Sequence, residues 1–157
     1  MEPLKSRSNQ KKYIILHHSV SADHPTLSNV GAIRNYHVNV NGWVDVGYHF
    51  LLDRINGHLE IVCGRMLDER GAHCKELDFN ASGIGICVIG NFDQEPPPLD
   101  TLATLRHLCR SLMNQNIITA DRVLGHREAQ AMGGVPVEQR KSCPGKAWDM
   151  GAFRDSL

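Results

Sequence analysis

Long apolar runs are missing from this 157-residue sequence. The one nearest the N-terminus, Tyr13 to Leu16, stops at two histidines, which is too short for a secretory leader or a membrane span. Membrane insertion is therefore not expected, and the chain is expected in the cytoplasm. An excess of charge is missing as well: 17 lysines and arginines balance 17 aspartates and glutamates. That balance removes the long-range attraction on which binding to nucleic acid or an anionic surface depends, so no nucleic-acid partner is expected. There is no Cys-x-x-Cys pair and no His-Glu-x-x-His helix, so no local signature holds a metal. The five cysteines are an odd number without framework spacing, which suits reduced thiols better than a disulfide scaffold. With no internal repeat and no dividing linker, a single domain is expected, large enough to hide roughly two thirds of its unfolded surface.

What is present points to an α/β fold, a central mixed sheet flanked by helices. Residues 1–12 read as a flexible N-terminal arm, polar and basic without apolar periodicity. "YIILHHS" reads as a buried strand, and a helix is expected from about Ser28 to Val40, with Val30, Ile33 and His37 at helical spacing and Asn41-Gly42 ending it. "VGYHFLLDR" and "GHLEIVCG" read as a hairpin about Asn56-Gly57. "GIGICVIGNF" has the continuous apolar character of a central strand. The three prolines 96–98 force an extended connection into a helix with Asp100 as its expected N-cap, burying Leu102, Leu105, Cys109 and Leu112 along one face. "RVLGHRE" reads as a short last strand running into a loop, and residues 146–157 as a terminal helix. Strands and helices interleave around one hairpin, which makes the sheet mixed.

Nine histidines invite a search for metal ligands, and any site must be assembled from distant segments. The candidates are His17 or His18, Tyr48 and His49, His73, His126 in "LGHRE" and Cys143 in "KSCPG". Neighbouring side chains on a strand point to opposite faces. His17 and His18 therefore cannot both face one metal, and Tyr48 and His49 diverge in the same way. Lys141 and Cys143, two apart in a segment restrained by Pro144, project to one side.

In this order, "HHS" after an apolar strand, "GWVDVGYHFLLDR", "GAHC" before "NASGIGICVIGNF", "LGHRE" and "KSCPG" resemble the zinc-dependent N-acetylmuramoyl-L-alanine amidases of type 2. That family includes the phage lysozyme-type amidases and the peptidoglycan recognition proteins, and the resemblance runs from about Tyr13 to Trp148. It implies zinc held by His17, His126 and Cys143, with Tyr48 beside the water and Lys141 facing the scissile carbonyl as catalytic residues. It also implies that His73 and Asn80 line the substrate groove. Some relatives carry a catalytic glutamate on the central strand, where Cys87 stands here; that departure points to the phage-type branch.

The chemistry is consistent with the donor types, since two histidines and a cysteine leave an open position on zinc, as a hydrolytic site requires. The expected reaction is hydrolysis of the amide between muramic acid and L-alanine in peptidoglycan or a muropeptide. The expected setting is a monomeric phage or prophage endolysin, released through a holin. A cytoplasmic muropeptide-recycling amidase and a non-catalytic peptidoglycan-binding module are the alternatives. The remaining histidines and thiols have simpler readings: His18 and His49 in packing or behind the ligands, His37 in the core, His24, His58 and His107 on the surface, and Cys63, Cys87 and Cys109 as small hydrophobes.

Overall fold

The segments Tyr13–His18 (β1), Phe50–Ile55 (β2), His58–Cys63 (β3), Gly83–Val88 (β4) and Val123–Gly125 (β5) form one sheet in the order β3-β2-β4-β1-β5. The structure is a computed structural model, and it describes residues 10–21 and 29–157. Within the sheet β1 runs parallel to both β4 and β5, and β2 parallel to β4, while β3 pairs antiparallel with β2. The hairpin between β2 and β3 turns at Asn56 and Gly57, both with positive φ (52° and 79°), as a type I′ turn requires. β4 lies between two parallel neighbours, and every one of its residues is buried, which explains its unbroken apolar sequence.

Alternation along the strands separates two faces. On one, Ile14, Leu16, Ile84, Ile86 and Val88 pack against the long helix Leu99–Asn116 (α3) through Leu105, Cys109 and Leu112, and against Trp148 and Phe153. On the other, Ile15 packs with Phe79 and Leu124, and Leu51 and Cys87 pack with Val30 and Val46. This second face is covered by three short helices, Asn29–Asn35 (α1), Phe79–Ser82 (α2) and His126–Met132 (α4), which leave a groove between them.

Several boundaries differ from the sequence expectation. The helix toward Val40 is α-helical only to Asn35 and continues as a π-helical turn, Tyr36–Val40, while Ser28 and His24 lie outside the described residues. Helix α3 begins at Leu99, with Pro98 as its cap, so Asp100 is in the first turn instead. There it pairs with Arg54 at 2.6 Å, a position equally favoured by the helix dipole. "LGHRE" passes from strand straight into helix α4, and the terminal helix is confined to Met150–Asp155 (α5), capped by the Asp149 carboxylate. Cys63 is exposed on edge strand β3. Of the N-terminal arm, residues 1–9 lie outside the described residues, but Lys11 is 3% exposed and its ammonium donates to the carbonyls of Glu69 and Ala81.

Asp53, fully buried on β2, ties helix α1 to the sheet. Its carboxylate accepts from Asn29 Nδ2 at 2.8 Å and from the Val30 amide at 3.2 Å. Hydrogen bonds to a buried charge are the strong kind. Asp53→Ala is expected to lower the unfolding free energy by about 2–3 kcal/mol in a urea titration; an unchanged midpoint would show that the carboxylate does not hold the helix.

Candidate metal centre

His17 is the fifth residue of β1 and pairs in register with Cys87 on β4. Its side chain lies on the groove face. His17 Nδ1 stands 3.6 Å from Cys143 Sγ, and His17 Nε2 stands 3.0 Å from His73 Nδ1. A proton on Nε2, shared with His73, leaves the Nδ1 lone pair directed at the sulfur. His126, the first residue of α4, brings its ring to 4.7 Å from that of His17, centroid to centroid. Ligand atoms of His17, His126 and Cys143 all lie within 4.8 Å of one another, and all three residues are buried. His18 points to the opposite face, where its Nδ1 accepts the Phe92 amide at 3.1 Å and its ring stacks on Phe92.

The motif around His126 holds the Cys143 loop against it. The Arg127 amide donates to the Cys143 carbonyl, and its guanidinium to the carbonyls of Gly145 and Trp148 (2.7 and 3.0 Å). Glu128 reaches back to the Gly125 amide at 2.7 Å, a capping interaction, and takes both nitrogens of Arg154 at 2.8 Å. Gly125 is required by packing, because a Cβ there would sit 2.6 Å from Pro144 Cδ. Arg127 and Glu128 escaped the sequence reading. An Arg-Glu pair following a candidate ligand was their only signal.

His73 is more deeply set than a groove wall. Although it lines the groove, it is 9% exposed, and its ring lies between Gly71 and Gly85, where any Cβ would come within 2.5 Å of it. Asn80 also lines the groove, and its Oδ1 accepts the amides of His73 and Cys74 at 2.7 and 2.8 Å. Asn80 thus shapes the loop that presents His73. His49 is buried away from the centre; its Nδ1 accepts the Gly85 amide and its Nε2 donates to the Glu69 carbonyl.

Tyr48 precedes β2, its ring 5.2 Å from that of His17. Its hydroxyl lies close enough to the Cys87 thiol for that thiol to help hold it protonated. Cys87 is therefore a neighbour of the candidate centre as well as a small hydrophobe. Lys141 is exposed, held through its amide by Gln130 Oε1 at 2.8 Å, and lines a groove of about 580 Å³ with Trp43, Glu76 and His126. His37 is not in the core. It is half-buried, stacks on Trp43 and borders a second hollow beyond Tyr48.

Burial sets the protonation states. It holds His17 well below the usual imidazole range, helped by His126, His73 and Lys141, and pushes His126 down to about 4 with help from Lys141. Burial pushes the Cys143 thiol up to about 11, partly opposed by the His18 backbone amide, which donates to the sulfur. Burial likewise keeps Tyr48 protonated, well above the usual phenol range, and raises Cys87 further than the other thiols. The result is two neutral imidazoles and a sulfur whose ligand atoms lie within 4.8 Å of one another. That donor set fits zinc, with one coordination position left open.

The profile of the N-acetylmuramoyl-L-alanine amidase family matches residues 7–146. The chain belongs to that family. Among solved structures it is similar to the endolysin N-acetylmuramoyl-L-alanine amidase LysCS from Clostridium intestinale, with TM-score 0.73, 26% identity, and 99% of this chain and 88% of that one covered. It is also similar to a variant of Drosophila PGRP-LB in complex with tracheal cytotoxin, with TM-score 0.73, 26% identity, and 90% and 79% covered. By sequence it is 30% identical over 128 residues to peptidoglycan-recognition protein SC1a of Drosophila melanogaster. That alignment spans 78% of this chain and 66% of the relative, so the chain matches just under two thirds of that protein's length. The family's fold, a mixed α/β domain on a five-stranded sheet, is the one described above.

The buried histidines of this amidase-family domain make its metal-free stability depend on pH. His49 and His126 are held near 4 in the fold, against about 6.5 in an unfolded chain. Between those values the unfolded chain binds more protons, so stability falls as pH drops through about 6.5 toward 4. His49 alone accounts for about 3 kcal/mol over that window. Thermal unfolding of the metal-free protein is expected to show a falling midpoint from pH 7 to pH 4.5; a flat profile would contradict the buried neutral imidazoles.

Proposed function

We propose that the chain is a zinc-dependent N-acetylmuramoyl-L-alanine amidase. Its substrate would be peptidoglycan, cut at the amide between the lactyl group of N-acetylmuramic acid and L-alanine. One observation carries the reading: His17, His126 and Cys143, from three distant segments, bring their ligand atoms within 4.8 Å of one another beside the groove that Lys141 lines. Similarity to the structures of an endolysin amidase and of a recognition protein in complex with tracheal cytotoxin supports the same substrate class.

Zinc held by these three residues would supply Lewis acidity, lowering the pKa of a water toward about 7. The protein's own groups account for the rest. Tyr48, kept as a neutral phenol, donates a hydrogen bond that orients the attacking water and can relay a proton toward the leaving nitrogen. Lys141, the mobile cation of the groove, stabilises charge developing on the carbonyl oxygen. His73 fixes the His17 ring through the 3.0 Å contact. Cys87 stays a thiol, so the strand position that carries glutamate in some relatives offers no base here.

The biological role we infer is that of an endolysin, with release by a holin. Degradation of purified sacculi supports this role, whereas cleavage of soluble muropeptides alone points to recycling. A non-catalytic binding module is disfavoured by the complete ligand set, Cys143 included.

Zinc content and release of L-alanine amino groups from sacculi test the assignment together. Cys143→Ser and His17→Ala are expected to lose the zinc of this centre and the activity, and His18→Ala to keep both. Lys141→Ala should retain zinc and lose about 10²- to 10³-fold in turnover. Wild-type activity with zinc in Cys143→Ser, or full turnover in Lys141→Ala, would overturn the respective role.

A further inference from the structure

His126 takes part in a second cluster that the proposed reaction does not use. Glu76, on the turn before α2, stands with its Oε2 3.2 Å from Cys74 Sγ and 3.9 Å from His126 Nε2. Ligand atoms of Cys74, Glu76 and His126 lie within 4.8 Å of one another. The side chains of Glu76 and His126 are only 7% and 8% exposed. The Gln130 side chain holds the Lys141 amide through Oε1. Against the effect of burial, the Glu76 backbone amide, Cys74, His126 and then Gln130 keep the Glu76 carboxyl below the usual range. Cys74, Glu76, His126 and Gln130 all line the groove of about 580 Å³, so the cluster has access to solvent.

The spacing and the donors suit a cation. Ligands about 2.0–2.3 Å from a tetrahedral zinc stand about 3.3–3.6 Å from each other; the separations of 3.2 and 3.9 Å bracket that span. Sulfur, carboxylate and imidazole are all zinc donors. The thiol proton that Cys74 now directs at Glu76 occupies the space between sulfur and oxygen. A divalent ion could take that proton's place.

We propose that Cys74, Glu76 and His126 form a second, weaker seat for a zinc-class divalent cation, sharing His126 with the first. Binding releases the Cys74 thiol proton to solvent and, when the first seat is filled through the other ring nitrogen, the one N–H proton of neutral His126 as well. That extra deprotonation makes the seat the weaker one. The inference rests on the preceding reading only through the shared His126.

Titration of the metal-free full-length protein with zinc against a chromophoric chelator tests it. The wild type is expected to bind two equivalents, the second at least tenfold more weakly. Cys74→Ala and Glu76→Gln, each checked for folding by circular dichroism, are expected to keep the tight equivalent and lose the weak one. A single equivalent in the wild type under excess zinc, or a weak equivalent that survives in both variants, would overturn the second seat. A tight equivalent that persists in the Cys74→Ala/Cys143→Ser double variant, where the second seat is already broken, would instead overturn the first, so the two failures are distinguishable.

Discussion

The parallel pairing of β1 between β4 and β5 is the constraint on which the rest of the domain depends. It sets His17 beside Cys87 in register, and Leu16 beside Gly125, one residue before His126. Two candidate ligands therefore come from adjacent strand ends on one edge of the sheet. Because side chains alternate along a strand, the same pairing sends His18 to the opposite face, against Phe92. A slip of one residue would exchange the two histidines and turn Ile14 and Leu16 out of the core below α3. The hydrophobic layer thus enforces the identity of the histidine at the centre.

The third candidate ligand cannot come from the sheet, and "LGHRE" supplies what attaches it. His126 faces the centre, Arg127 grips the Cys143 loop by its carbonyls, and Glu128 caps α4 while pairing with Arg154 on the last helix. Five consecutive residues thereby join the sheet, the Cys143 loop and the C-terminal helix. Gly125 permits this by letting Pro144 pack where a side chain would stand. The geometry of the Cys143 loop is set by charge-assisted bonds to backbone carbonyls more than by its own sequence.

Much of this could be read from the residues alone. The unbroken run of β4, the Asn56-Gly57 turn and the alternation of His17 and His18 each follow from local rules of strand and turn geometry. What escaped was long-range. Asp100 looks like a cap because Asp is a good one, but Pro98 already fixes the helix entry. His37 sits at helical spacing with Val30 and Ile33, yet the helix loosens into a π turn at Tyr36 and the ring lies against Trp43, bordering the second hollow. The role of His73 behind His17 depends on two glycines, Gly71 and Gly85, that are distant in sequence and meet only in the fold.

The electrostatics of the centre follow from the same burial that builds it. Four histidines are gathered at or beside one face of the sheet, and desolvation is the largest influence on each, keeping them neutral. Neutral imidazoles are donors with free lone pairs, which is the state a ligand needs. The low polarity that secures this also disqualifies Tyr48 and Cys87 as bases, since it raises both above their ordinary ranges. Lys141, by contrast, is exposed on the wall of the groove. The candidate centre is therefore graded by depth: the ligand-bearing residues His17, His126 and Cys143 lie buried, and Lys141 stands at the exposed wall of the groove beside them.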